Sequence, residues 1–343
     1  MRSVQLLSKR LMEVREVPPP QDPPPGYVTV RITAVGICGS DLHWYQEGDV
    51  GHTKGVFPRI LGHEPAGEIA ALGKDVTSLK VGQRVAVEPA VTCSACDYCL
   101  TNHHNHCSNL SFHGSAQSEG FFQEYLNVPV KNCLPVPDSL SLAQITLVEP
   151  LAVIFHVFEM TPARVGETVA ILGSGPIGLL TAALAREAGA GKIIIGDRVP
   201  HRLEHARQMG FPDTVHMPRE SFQDAVMDHT RGRGADIVFD AAAAVETINI
   251  GISALRPSGR FVLIGIPTEK QMNIDMHTAM NKELVLQMVK RSNRNDHQAL
   301  HMIAAGKISE LFVTHHLPLE KTPDAFEMLT DYSDGVGKII IHP

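Results

Sequence analysis

Two groups of side chains in this sequence have the types and spacing of metal ligands, and they call for different chemistry. The stretch CSACDYCLTNHHNHC, residues 93–107, holds Cys93, Cys96, Cys99 and Cys107 at a spacing that suits tetrahedral thiolate coordination of zinc. A shell filled by four sulfurs leaves no position for a substrate, so this lobe is expected to hold structure rather than turn anything over. His103, His104 and His106 lie in the same stretch. With the shell already complete, they are expected to face solvent as loop residues.

The second group is scattered. GICGSDLH offers Cys38, Ser40, Asp41 and His43, and LGHEPAGE offers His63, Glu64 and Glu68. Each has a bland reading by itself, since a buried cysteine is usually a small hydrophobe and a lone histidine a hydrogen-bonded core residue. Together, one thiolate, one imidazole and an adjacent carboxylate match an open zinc site, with three protein ligands and a fourth position free for water or substrate. Glu149, in LVEPLAV, is an acid among apolar residues and needs a partner. It reads equally well as a helix-start acid before Pro150, and both readings stand. Cys133 has no ligand partner nearby and is expected to pack.

A third pattern concerns phosphate. GSGPIG places Gly173, Gly175 and Gly178, with Pro176 and Ile177 between the last two, directly after the apolar run VAIL and before a helical run. The glycines permit a tight turn, close approach to a pyrophosphate and close helix–strand packing, while the unpaired amides of the helix N-terminus face the phosphates. Asp197 closes the next strand, where its carboxylate can accept hydrogen bonds from an adenosine ribose and repel a 2′-phosphate. NAD is therefore favoured over NADP, with Arg198 and Arg202 weighing against that preference.

These residues need elements to position them. The first 150 or so residues are rich in valine, glycine and proline, with short strand candidates such as YVTVRITAVGI and RVAVEPA. From about Gly166 the pattern becomes strand, glycine turn, apolar helix and strand, which predicts a parallel α/β segment. HRLEHARQMG and ETINIGISAL read as crossover helices, and the alternation fades after about Lys290. The tail, with one helix and a final strand KIIIH, is expected to pack back onto the first domain. PPPQDPPP at 18–25 reads as an extended surface connection.

Length and composition bound the partners. A chain of 343 residues exceeds what one core usually organises. Thirty basic against thirty-seven acidic residues give a net charge of −7 with no basic run, so neither nucleic acid nor an anionic membrane is expected as a partner. The N-terminus MRSVQLLSKRLMEVREV lacks the apolar core and cleavage site of a signal peptide, and no 18-residue apolar run is present. Four of six cysteines sit in the one cluster, which suits reduced thiols and a cytoplasmic setting better than a disulfide framework.

Taken in order, GICGSDLH, HWYQEGDVGHTKGVFPRILGHEPAGEI, VGQRVAVEP, LVEPLAV, the glycine motif and VTHHLPLEK resemble the zinc-containing medium-chain alcohol dehydrogenases, and within them the sorbitol and other polyol dehydrogenases. The resemblance spans essentially the whole chain. It implies a GroES-like β-rich catalytic domain from 1–151 and 288–343, carrying the zinc lobe 93–107, with a Rossmann NAD-binding domain of doubly wound parallel sheet at 152–287. It implies two zinc ions per chain. The catalytic one would be held by Cys38 and His63 with Glu64 as an exchangeable ligand, and Glu149 would hold or replace its water. Ser40 and His43 would pass a proton toward solvent, and Trp44, Phe112 and Arg291 would line the substrate. The implied reaction takes a hydride from a secondary alcohol of a polyol to NAD, in an enzyme that is commonly a homo-tetramer. Three departures touch the pocket and cofactor side: Ser292 replaces an aromatic residue after the arginine, SFHGSAQSEGFF differs, and Ala241–Ala244 stand where a glycine is usual. L-threonine dehydrogenase, another zinc-dependent secondary alcohol dehydrogenase, and a non-catalytic zinc- and dinucleotide-binding protein remain as rival readings.

Overall fold

A computed structural model describes residues 1–116 and 118–343; Gln117, in the SFHGSAQSEGFF stretch, lies outside them. The chain forms two compact units, one from Met1–Ala152 with Ser292–Pro343 and the other from Val153–Arg291. The return to the first unit falls after Arg291 rather than at 288. Strand Val285–Met288 belongs to the sheet of the second unit, and Val289 N–H still bonds Leu263 O at 3.1 Å, so the chain cannot leave earlier.

The first unit is built on a seven-stranded sheet. Its order is Cys133–Pro135, Arg84–Val87, Glu64–Leu72, Tyr27–Gly36, Ile339–His342 and His315–Pro318, with Tyr125–Pro129 also pairing Tyr27–Gly36. Tyr27–Gly36 is central because its valines, isoleucine and alanine are buried while Arg31 reaches water. The antiparallel register sets Gly36 opposite both Glu64 and Ile340, so one rung joins three distant parts of the sequence. That rung ends beside Cys38 and His63, where the ligand-bearing loops begin. The last strand thus enters the sheet next to the first strand to carry chemistry, which puts the C-terminal tail behind the site.

In the second unit six parallel strands run in the order Thr214–His216, Lys192–Asp197, Thr168–Leu172, Ala235–Asp240, Leu255–Leu263 and Val285–Met288. Numbered along the chain this is 3-2-1-4-5-6, the Rossmann order, in which ligands bind beyond the carboxyl ends of the strands where the order reverses. Both strands at the reversal, Thr168–Leu172 and Ala235–Asp240, are buried at every residue, as parallel strands covered on both faces must be. Among the described residues no helix is long and apolar enough to cross a membrane.

One ion-pair cluster locks this sheet. Asp236 is 5 % exposed and accepts two hydrogen bonds from the Arg233 guanidinium, one from Arg256 Nε at 2.7 Å and one from Thr168 N–H at 2.8 Å. The Arg233 bonds, reinforced by Arg256 and Thr168, hold its carboxyl well below the usual aspartate range. A depressed folded-state pKa contributes stability that is present above the unfolded value, about 3.9, and is lost as pH falls through the folded one. Asp236→Asn is expected to lose about 2–3 kcal/mol at pH 7, and the gap to the native protein should narrow in urea unfolding near pH 3. A gap that does not change with pH would contradict this account.

Candidate metal and dinucleotide sites

Cys38 ends the run that follows Tyr27–Gly36 and stands as the N-cap of helix Gly39–Glu47 in an extended conformation. Asp41, inside the first turn, fixes that geometry. Fully buried, it accepts Cys38 N–H at 3.1 Å and Gly62 N–H at 3.2 Å, and its Oδ1 lies 3.3 Å from His63 Nδ1. One carboxylate therefore ties both ligand-bearing loops together and points the other ring nitrogen, His63 Nε2, away from itself. An imidazole oriented by a carboxylate in this way is the usual arrangement behind a metal-ligating histidine. Ser40 Oγ lies 3.3 Å from that Nε2.

The ligand atoms of Cys38, His63 and Glu64 all fall within 4.8 Å of one another. The site calls for positive charge. Burial alone would pull the His63 imidazole down, yet the Asp41 and Cys38 charges outweigh it and hold the ring well above the ordinary histidine range. Thiolate, imidazole and carboxylate form a donor set that fits zinc. Glu149, at the start of helix Val148–Met160, lies outside this cluster but within electrostatic reach of it. Burial pushes its carboxyl up to about 7, with His63 and Lys338 opposing and Glu64 and Asp296 adding to the rise.

Behind Glu64 stands a residue that no motif marks. Lys338, 1 % exposed and 274 residues away in sequence, donates to Glu64 Oε2 and, at 3.0 Å, to Ile37 O. A Cβ at Gly36 would sit 2.1 Å from that Glu64 oxygen and 2.9 Å from Lys338 Cε, so glycine is required for the pair to form.

The other proposed residues fall as follows. His43 Nδ1 pairs with Glu47 Oε1 at 2.9 Å, one helical turn on. Phe112 tilts against the His63 ring at 5.4 Å between centroids. Trp44 is 6 % exposed and carries the Arg59 guanidinium 4.3 Å above its ring. Arg291 closes the second unit in a left-handed conformation, φ 59°. Ser292, the departure beside it, is buried in the first unit and donates to Glu88 Oε2 at 3.3 Å.

In the cysteine lobe the four thiols form a second cluster. Tetrahedral zinc with bonds of about 2.3 Å puts sulfurs roughly 3.75 Å apart. Cys93 and Cys107 Sγ are 3.5 Å apart, and Cys96 and Cys107 Sγ 3.9 Å, which brackets that value. The Ala95 and Cys96 amides pull the Cys93 thiol down to about 6, whereas burial pushes Cys99 up to about 11. All six cysteines are free, and Cys133 is buried as a packing residue. His103 and His106 are exposed as expected, but His104 is buried at 7 %. Its backbone N–H bonds Asn293 Oδ1 at 2.8 Å, which draws it inward.

In the second unit Gly173 leaves strand Thr168–Leu172 at φ 97°, and Gly175 caps helix Pro176–Glu187 with Pro176 at its first position and Ile177 next. A Cβ at Gly178 would meet Gly173 O at 1.8 Å, so that glycine is fixed by packing. Asp197 Oδ2 accepts Ser174 N–H at 2.6 Å and its Oδ1 accepts Val199 N–H at 2.8 Å. Its carboxylate thereby pins the glycine turn to the end of the second strand. Arg202 O accepts from Ser174 Oγ at 3.0 Å, and Arg198 is exposed. Ala243 adopts φ 56° where a glycine would be unstrained. Asp240 Oδ1 accepts the Ala242 and Ala243 amides, both at 2.9 Å, and so offsets the steric cost.

An open metal cluster in a β-rich unit and a glycine turn at the reversal of a Rossmann sheet define a metal- and dinucleotide-dependent dehydrogenase scaffold. Residues 24–138 match the alcohol dehydrogenase GroES-like domain and residues 176–305 the zinc-binding dehydrogenase domain. Sorbitol dehydrogenase of Bacillus subtilis (strain 168) is 33 % identical over 317 residues, covering 92 % of this chain and 90 % of its own. A probable D-xylulose reductase A of Aspergillus clavatus is 35 % identical over 322 residues, covering 92 % and 89 %. Among solved structures, a putative zinc-binding dehydrogenase of Sinorhizobium meliloti 1021 bound to NADP superposes with a TM-score of 0.90 at 29 % identity, covering 100 % and 99 %. The chain belongs to the zinc-containing medium-chain alcohol dehydrogenase family, in its polyol dehydrogenase branch. It is an oxidoreductase that uses zinc and a nicotinamide cofactor.

Proposed function

We propose that the protein oxidises a secondary alcohol of a polyol of the sorbitol, xylitol or galactitol type to the ketose, with NAD as acceptor. The observation that carries this reading is the cluster Cys38, His63 and Glu64, oriented by buried Asp41, in a chain whose relatives are named sorbitol dehydrogenase and probable D-xylulose reductase A. When bound, zinc supplies the acidity that ionises a hydroxyl near neutral pH, worth about 12 kcal/mol if it matches zinc's acidification of water from 15.7 to about 7, while the nicotinamide takes the carbinol hydride.

The chain's own residues do the rest. Cys38 and His63 hold the metal, and Glu64, drawn toward Lys338, can yield its place to the substrate oxygen. Glu149, raised to about 7, can hold or exchange a proton at the neighbouring water position. Ser40 beside His63 Nε2, and His43 backed by Glu47, lead the released proton toward solvent. Trp44, Phe112 and Arg291 are assigned to the substrate. Asp197 supports NAD over NADP, since a second negative charge there would meet its carboxylate. The four thiols support a second, structural zinc. Val285 and Met288, exposed on the edge strand of the parallel sheet, support association into a homo-oligomer, taken to be a tetramer, and the free cysteines suit a cytoplasmic setting.

NADH formation should be measured with sorbitol, xylitol, galactitol, simple secondary alcohols and L-threonine, with and without chelator, alongside zinc content. The expected outcome is activity on at least one polyol, lost on chelation, with two zinc ions per chain. Activity on threonine alone would replace the polyol reading by the amino-acid one, and full activity in zinc-free protein would remove the metal from the reaction.

A further inference from the structure

A cavity of about 490 Å³ opens in the first unit beside the cysteine lobe. Its walls come from four separate stretches: Glu88 and Thr92, His104 of the lobe, Lys131, and Arg294 with Asp296. None of these residues was marked as a site by the sequence, and the alcohol chemistry uses none of them.

Three observations concern charge. His104 is more than nine-tenths buried, and its Nδ1 has no hydrogen-bond partner among the described residues. Lys131 Nζ donates to Thr92 O at 2.6 Å, and Arg294 Nη2 lies 3.3 Å from Thr92 Oγ1 and 3.4 Å from Ser94 Oγ. These acceptors are neutral, and among the described residues neither cation has a carboxylate at ion-pair distance. Both cations nonetheless press on His104, which burial, Arg294 and Lys131 together hold below the ordinary histidine range. Two acids, Glu88 and Asp296, share the cavity wall, and the Arg294 charge reaches Asp296 without closing an ion pair. Glu88 and Asp296 are hydrogen-bonded to each other, and burial with Asp296 beside it pushes the Glu88 carboxyl well up.

We propose that this cavity is a binding site for a small oxyanion, a phosphate or a carboxylate, held between Lys131 and Arg294 with His104 donating from Nδ1. A bound anion would receive charge-assisted hydrogen bonds from two cations whose present acceptors are neutral, and would give the buried imidazole its missing partner. Because His104 lies between Cys99 and Cys107, and Asn293 clasps its amide and, through Nδ2, Asn102 O at 2.7 Å, occupancy would brace the zinc lobe.

The test is calorimetric titration of the zinc-loaded protein with inorganic phosphate and, separately, malonate. Saturating NADH is present to fill the dinucleotide site, and sodium chloride at equal ionic strength is the blank. Saturable binding of at least one oxyanion is expected, weakened about tenfold or more in both Lys131→Gln and Arg294→Gln and kept in Lys131→Arg, with zinc content unchanged. Zinc content and circular dichroism identify a variant that has lost its fold, for which Arg294→Met or Lys131→Met is substituted. No saturable binding by either anion up to roughly 10 mM, or full-strength binding in either charge-removing variant, overturns the proposal. Which of the two anions binds separates a phosphate site from a carboxylate site.

Discussion

His63→Ala and Cys38→Ala are each expected to lower turnover by more than about 10⁴-fold while leaving dinucleotide binding intact. The argument is one of magnitudes. If zinc acidifies the alcohol as it does water, it contributes on the order of 12 kcal/mol, whereas a positioned acid or base supplies about 10²- to 10⁴-fold, or roughly 3–5 kcal/mol. His43→Ala should therefore cost less and alter mainly the pH dependence of the rate, because the role proposed for its imidazole, paired with Glu47, is to pass a proton rather than to hold the metal. The glycine turn and Asp197 belong to the other compact unit, so NADH affinity by fluorescence titration should be unchanged. Near-normal turnover in a folded His63→Ala protein would remove this residue from the metal site. Loss of zinc from only the Cys38 cluster, with the four-thiol zinc retained, is the matching signature in metal analysis.

The sequence disclosed some of this and concealed the rest for physical reasons. Gly173, Gly175, Gly178 and Asp197 act within one strand–turn–helix–strand unit, so their spacing alone carries the geometry, and the parallel sheet follows from the alternation around them. The four thiols are local in the same sense. Cys38, His63 and Glu64 are legible because they sit in short stretches rich in glycine and polar residues, and the structure brings the three together. Asp41 was visible as a member of GICGSDLH, but its three contacts depend on Gly62 and His63 arriving across the sheet. Lys338 carried no signal, since a lone lysine before an apolar strand reads as a solvated residue. Only the rung that sets Gly36 against Glu64 and Ile340 gives it a role. His104 was misplaced to solvent because counting ligands says nothing about which loop residues a neighbouring segment draws inward.

Lys338→Met is expected to destabilise the zinc-free protein by about 3–5 kcal/mol, the cost of leaving Glu64 buried without a counter-charge. Both side chains are 1 % exposed, so water cannot solvate the stranded carboxylate, and Ile37 O loses its donor as well. Gly36 offers no side chain to compensate, and any Cβ placed there would strike the Glu64 oxygen itself. Zinc changes the balance, because a cation beside Cys38 and His63 can take over the charge that the ammonium neutralised. The gain in stability on adding zinc should accordingly be larger in Lys338→Met than in the native protein, read from urea unfolding with and without the metal. With Glu64 drawn onto the metal for want of another partner, the position needed by the alcohol becomes occupied, and turnover should fall even where folding is rescued. The pair can be separated from a general packing defect by a second change. In Lys338→Met with Glu64→Gln no charge is buried, so most of the lost stability should return. A double variant as unstable as the single one would show that the methylene stem of Lys338, and not its charge, is what the rung requires.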